Sequence, residues 1–228
     1  MDYWPLFQLK ITSPRLELRL PTDDDIPGVI EAVKTGIHDP AWMPFSNPWT
    51  DAQSPELERN TAQWVWKGRA EWAPDNWRLG LVVFLEGKLV GAQDVGAKNF
   101  AKLRTVSSGS WLTQNRQGQG LGKEMRAAML HFAFAGLGAD VAESEAWEQN
   151  AASIAVSTSL GYERNGVARR VAPRGKGLVN SVRFRLTREG WEATQRPDVT
   201  IEGLQSCLEM FGAGAPGAKE KGPEGPLS

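Results

Sequence analysis

The residues best placed to do chemistry lie in one stretch, Trp111-Leu-Thr-Gln-Asn-Arg-Gln-Gly-Gln-Gly-Leu-Gly122. An apolar run ends, three glycines follow at alternate positions (118, 120 and 122), and a helical pattern starts. Glycine admits positive φ and lets the backbone come close to a ligand. The first amides of a helix have no intrahelical acceptor, and the helix dipole stands behind them. Such a junction binds an anion, best a phosphate or pyrophosphate. Two nucleotide motifs fail here. A Walker A loop needs Ser or Thr after Gly-Lys, but Gly122-Lys123 is followed by Glu124, and position 117 is Gln. A dinucleotide fingerprint over 118 and 120 needs Gly at 123, which is Lys.

The elements that must hold this loop can be read on both sides of it. Arg15 to Leu20 alternates polar and apolar residues as a half-buried strand does. Thr22 caps a helix over about 23–34, with the acids Asp23 to Asp25 in its first turn. A loop with Pro40, Pro44, Pro48 and Pro55 follows, then a helix over 56–72. Strands are predicted over 77–85 and 88–95, joined at Glu86-Gly87, and over 105–113. After the loop come a helix over 123–137, a strand over 140–147 and a helix capped by Asn150. Strands over 162–170 and 179–186 and a short helix over 187–192 complete the pattern. This is an α/β (α+β) arrangement, a mixed and mostly antiparallel sheet of six or seven strands with helices on both faces. A single domain is expected over 1–211, and a disordered Gly/Pro/Lys/Glu-rich tail over 212–228.

Composition narrows the function. The chain has 228 residues and a formal net charge of −1, without a basic run that would suit nucleic acid or an anionic membrane. One cysteine, Cys207, and two histidines, His38 and His131, give no disulfide framework and no conventional zinc site. No apolar stretch is long enough to span a membrane and no leader is evident, so a cytoplasmic location is expected. Trp64, Trp66, Trp72 and Trp77 cluster in one segment, read as packing surface or as the lining of a substrate or dimer contact.

Gln117-x-x-Gly120-x-Gly122 resembles the Gln/Arg-x-x-Gly-x-Gly/Ala signature of the GNAT acyltransferases. Asn150-x-x-Ser153-x-x-x-Ser157-x-x-x-Gly161-Tyr162 is similar to the helix that follows in that family. The resemblance covers about 9–192. Leu9-x-x-x-Ser13-Pro-Arg-Leu-x-Leu-Arg19 resembles the opening of the RimJ/RimL branch. His38-Asp-Pro, Met43-Pro-Phe-Ser, Gly109-Ser-Trp-Leu, Glu124-Met-Arg-Ala-Ala and Phe184-Arg-Leu-Thr-Arg resemble an actinobacterial group described as succinyltransferases.

The resemblance implies a GNAT fold and direct acyl transfer from acetyl-CoA or succinyl-CoA, as co-substrate, to a primary amine on a small molecule or a protein N-terminus. It implies that pantetheine lies along Trp111, Leu112 and Thr113, with the Leu112 amide polarising the thioester carbonyl. The amides of Gln117, Gly118, Gln119, Gly120, Leu121, Gly122 and Lys123 would hold the pyrophosphate. Arg116 and Lys123 add charge there or are merely solvated. Asn150 bonds the pantetheine amide or only caps its helix. Ser157 stands where the wider family often has a Tyr that protonates the thiolate, and Ser153 matches the Ser that takes this part in the RimL-like branch. The Glu base of that branch falls near Ala172, so the match fails there. Glu143 and Glu145, on one face of a strand, and Asp94 are the candidate bases, and each is otherwise solvated surface. His38 borders the acceptor pocket as a base or as a structural residue, while His131 is read as core packing. A homodimer fits the resemblance. A non-catalytic acyl-CoA sensor and an aminoacyl-tRNA-dependent transferase stand as alternatives.

Overall fold

The computed structural model of the chain describes residues 3–175, 177–195 and 197–214. Within them, nine strands form one sheet in the order β7-β8-β6-β5-β4-β3-β2-β1-β9. The strands are β1 (Lys10–Thr12), β2 (Leu16–Arg19), β3 (Asn76–Leu85), β4 (Lys88–Lys98), β5 (Thr105–Leu112), β6 (Val141–Trp147), β7 (Glu163–Val171), β8 (Leu178–Thr187) and β9 (Thr200–Glu202). Every pairing is antiparallel except that of β5 with β6. The sheet exceeds the six or seven strands expected from sequence. The two additions, β1 and β9, are three residues each, too short for an alternating pattern to register.

The helices are α1 (Ile26–Lys34), α2 (Glu56–Ala70), α3 (Phe100–Leu103), α4 (Leu121–His131), α5 (Ala151–Ser159) and α6 (Arg188–Glu192). Helices α1 and α2 pack on one face, where Val29, Val33, Ile37 and Val82 form a small cluster. Helix α4 crosses the other face beside α5, over the main core. Thr22 and Asp25 form the reciprocal cap of a short 3-10 turn leading into α1, and the Asp25 carboxylate also accepts from Arg19 Nη1 and Nη2 at 2.7 and 2.8 Å. Glu86 and Gly87, at φ 51° and 75°, make the left-handed turn that joins β3 to β4 without splaying the strands. Helix α4 gains an extra residue per turn at Phe132–Gly136, where the Leu137 amide donates to Phe132 O at 2.9 Å.

Trp72 and Trp77 stack at 5.9 Å, and their indole N–H groups donate to Met210 O and Phe211 O at 3.0 and 3.1 Å. They thereby fasten the 3-10 segment Gln205–Phe211, while Trp66 stays half exposed. Gly212 and Ala213 continue this packing, Ala213 being buried; the rest of the expected tail, 215–228, lies outside the described residues.

Candidate functional site

A fork opens in the middle of the sheet. Strands β5 and β6 pair only at Thr105–Ser107 with Val141–Glu143. Beyond that, β5 keeps its bonds to β4 and β6 keeps its bonds to β8, but the two separate from each other. The Thr113 amide donates to Val90 O at 2.8 Å on the β4 side. Strand alternation therefore turns the Leu112 amide the other way, into the fork. Gly91, opposite Leu112, allows this approach: a Cβ there would meet Trp111 O at 2.3 Å.

At the mouth of the fork lies the glycine loop. Gly118 and Gly120 sit at φ 72° and 78°, a conformation that disfavours any side chain. Gly122 is less constrained, since a Cβ there would meet only Leu112 Cδ1 at 3.7 Å. Gln117 donates its own amide to Gln114 O and its side-chain amide to Ile37 O and Leu112 O at 2.7 and 3.0 Å. It is an anchor for the loop rather than a free donor. Among the described residues, no acceptor takes the amides of Gly118, Gln119, Gly120, Leu121, Gly122 or Lys123. Lys123 is exposed and Arg116 half-buried beside them.

The base of α4 is clamped from below. Glu124 Oε1 accepts from Ser13 Oγ at 2.8 Å and from the Arg15 amide at 2.9 Å, and Oε2 accepts from Arg15 Nε at 2.6 Å. Arg15 Nη1 also reaches Gln119 O at 3.2 Å. The Ser-Pro-Arg turn between β1 and β2 thus fixes the loop from outside.

Helix α5 borders the other side of the fork. Asn150 Oδ1 accepts from the Ser153 amide at 3.1 Å, so Asn150 caps the helix. Ser157 is buried and donates to Ser153 O at 3.0 Å. Against it lies Arg126 of α4, 5% exposed, with Nη1 at 2.9 Å from Ser157 Oγ and 3.4 Å from Ser144 Oγ, and Nη2 at 3.3 Å from Ser110 Oγ. The guanidinium therefore bridges β5, β6 and α5 at the narrow end of the fork.

The opposite face of the sheet carries the acids. Asp94 pairs with Gly109 in register and takes the Gly109 amide at 2.8 Å and Arg78 Nη2 at 2.6 Å, both on Oδ1. Burial pushes its carboxyl up, against the opposing pull of Arg78, the Gly109 amide and Arg126. Glu143 and Glu145 share this face, as alternation requires. Glu145 is held by Arg170 at 2.9 and 3.0 Å and by the Ser181 hydroxyl, and the Arg170 bond leads in pulling its carboxyl below the ordinary range. His38 spends both ring nitrogens, on Asp39 O at 2.9 Å and Thr50 Oγ1 at 2.7 Å, inside the proline loop. His131 packs edge-on against Trp191 at 6.0 Å. The proline loop is drawn over this face by Trp49 against Trp111, with centroids 6.1 Å apart. Arg174 in the β7–β8 turn binds Asp51 through two 2.6 Å bonds and Pro40 O at 3.1 Å.

The structure thus puts Leu112, the loop amides and α5 with Ser153 and Ser157 on the face of the sheet that α4 covers, and Asp94, Glu143 and Glu145 on the opposite face. It places His38 in a structural network and Asn150 in a cap. Arg126 and the Ser13–Arg15–Glu124 clamp were visible in sequence only as parts of two motifs, with nothing to show that one is buried and the other joined. Among the described residues, no group of three metal-binding side chains occurs, and no helix is long and apolar enough to cross a membrane.

Comparison with known proteins is consistent with this geometry. Residues 15–163 match the acetyltransferase (GNAT) domain family. Among solved structures, RimJ of Mycobacterium smegmatis in complex with a CoA disulfide is 19% identical, with a TM-score of 0.65 over 90% of this chain and 95% of that one. RimL, the ribosomal L7/L12 alpha-N-protein acetyltransferase, in complex with coenzyme A, is 17% identical, with a TM-score of 0.63 over 77% and 95%. A GNAT-family acetyltransferase of Bacillus anthracis is 20% identical, with a TM-score of 0.61 over 79% and 99%. At these identities the likeness is one of fold.

Proposed function

The chain belongs to the GNAT acetyltransferase family, and from that premise we propose that it moves an acyl group, acetyl or succinyl, from a coenzyme A thioester to a primary amine by direct attack. The observation that carries the reading is the set of six unshared amides from Gly118 to Lys123 at the mouth of the fork. They suit the two linked phosphates of coenzyme A, with the dipole of α4 aligned behind them.

From there each residue takes a part. Pantetheine lies along Trp111 to Thr113. The Leu112 amide, facing the fork, polarises the thioester carbonyl where charge develops in the transition state. The acceptor enters from the face that carries Asp94. Oδ1 of Asp94 is engaged twice, and Oδ2 is left to receive the ammonium proton. Glu145 suits this task less well, since Arg170 and Ser181 hold it as a carboxylate. Ser153 lies at the sulfur side of the fork as thiol anchor. The acceptor is a small amine or a protein N-terminus; RimL, to which the chain is similar, acts on a protein alpha-amino group.

The test is thiol release from acetyl-CoA and succinyl-CoA across a panel of small amines and N-terminal peptides. Turnover with one donor and one acceptor is the expected result. Micromolar donor binding with no turnover across the whole panel would replace this reading with that of an acyl-CoA sensor.

A further inference from the structure

Arg126 is a buried charge with no acid hydrogen-bonded to it among the described residues. Among the described residues it forms no ion pair, and its hydrogen bonds go to three serine hydroxyls. Its Nε lies buried without a hydrogen-bond partner, as does Gln93 Oε1. Pairing puts Gln93, Ser108 and Ser110 on the face of the sheet that α4 covers. Arginine does not give up its proton in a protein, so burial cannot neutralise it. Removing such a charge from water is unfavourable unless a negative charge compensates it. Asp94 and Tyr162 are the ionisable groups that favour the charged guanidinium, and neither hydrogen-bonds to it. A neutral leucine or methionine would fill this place in α4, between Met125 and Met129, with less cost. The arrangement is that of a receptor awaiting an anion.

Its position says which anion. The guanidinium contacts Ser157 and Ser110, which flank the narrow end of the fork, and the Leu112 amide points into the same gap. Resting on the acyl-transfer reading above, we propose that Arg126 stabilises the sulfur of coenzyme A as it leaves. The amine nitrogen forms the new bond to the carbonyl carbon and the C–S bond breaks. The electron pair stays on sulfur as a thiolate facing the guanidinium, and the ammonium proton passes to Asp94. Positive charge on Arg126 thereby does what a proton-donating side chain would otherwise do, and Ser157 positions it.

The experiment is an ultraviolet titration of the coenzyme A thiol bound to the full chain, with Arg126→Met and Arg126→Lys beside it. In the unsubstituted protein the bound thiol is expected to ionise at least about one pH unit below the free thiol, near ~8.5. Arg126→Met returns it to the free value, and Arg126→Lys keeps part of the shift. Turnover should fall by about 10²-fold in Arg126→Met, equally for acetyl-CoA and succinyl-CoA and mainly in kcat. Bound thiol that titrates alike in Arg126→Met and the unsubstituted protein overturns the proposal. So does a loss confined to succinyl-CoA, which would make Arg126 a receptor for the donor's carboxylate. Failure of the unsubstituted protein to bind coenzyme A is a separate result, and it removes the acyl-transfer reading together with this one.

Discussion

Substituting Glu124 by Gln tests whether the β1–β2 turn holds the phosphate loop in place. The Glu124 side chain is 10% exposed and accepts three hydrogen bonds, two of them from Arg15. Bonds to a charged acceptor contribute about 1.5–3 kcal/mol each before screening. The Arg15 side chain is 46% exposed, so its ionic share is discounted toward the surface range of about 0–1 kcal/mol. Gln retains one acceptor oxygen, but its NH2 confronts an Arg15 donor. A loss of about 2 kcal/mol follows, or about 4–8 °C in Tm for a chain of this size. Urea denaturation at pH 7 measures it. The pH dependence gives an independent check. Burial alone would raise the Glu124 carboxyl, but the bonds from Ser13 and Arg15 outweigh it and the net shift is downward. A carboxylate lowered in the folded state contributes its full stability above its unfolded value and loses it as pH falls through the folded one. The difference between the two proteins should therefore shrink from about pH 4.5 downward. Coenzyme A affinity should fall alongside, because Arg15 also holds Gln119 O. Equal stability at pH 7, or a difference that does not narrow in acid, would refute the reasoning.

Gly120→Ala places a side chain at φ 78°, a strain of about 1–2 kcal/mol; calorimetry should show coenzyme A binding weakened by about tenfold and the melting temperature lowered by about 2–8 °C. Asp94→Asn removes the proton acceptor, and kcat should fall by about 10²-fold. In the unsubstituted protein the pH profile of kcat/KM should drop on the acid side below the raised carboxyl of Asp94, and that limb should vanish in the variant. Gly91→Ala puts a Cβ at 2.3 Å from Trp111 O, so β5 must yield by several tenths of an ångström at the Leu112 amide. Steady-state kinetics should show a fall in kcat of about 10²-fold, and stability should decrease by about 1–3 kcal/mol.

Local chemistry was legible in the sequence because its determinants are local. The spacing of Gly118, Gly120 and Gly122 gave the loop, Glu86-Gly87 gave the hairpin, and Thr22 and Asn150 gave the caps. Pairings across the chain were not legible: Ile11 meets Ile201 in the β1–β9 ladder, and neither segment is long enough to show a period. Alternation put Glu143 and Glu145 on one face, as found, but could not show that Arg170 and Ser181 occupy one of them. Arg126 was hidden for a further reason. A charged residue in an amphipathic helix reads as solvated, whereas residues from Met125 to Leu130 are all buried, because the sheet and α5 enclose α4 on more than one side.

On the proposed reading, the Arg174–Asp51 bridge closes a span across the acceptor side. One foot stands on the proline loop and the other on the β7–β8 turn, and the acids lie on the sheet face below. If acyl transfer runs as proposed, a free polypeptide end or a slender amine reaches that face past the bridge, while a lysine in the middle of a folded surface would first have to break it. Acceptor selection under that proposal would be partly a question of topology, and ionic strength, which weakens the ion pair, would act on it.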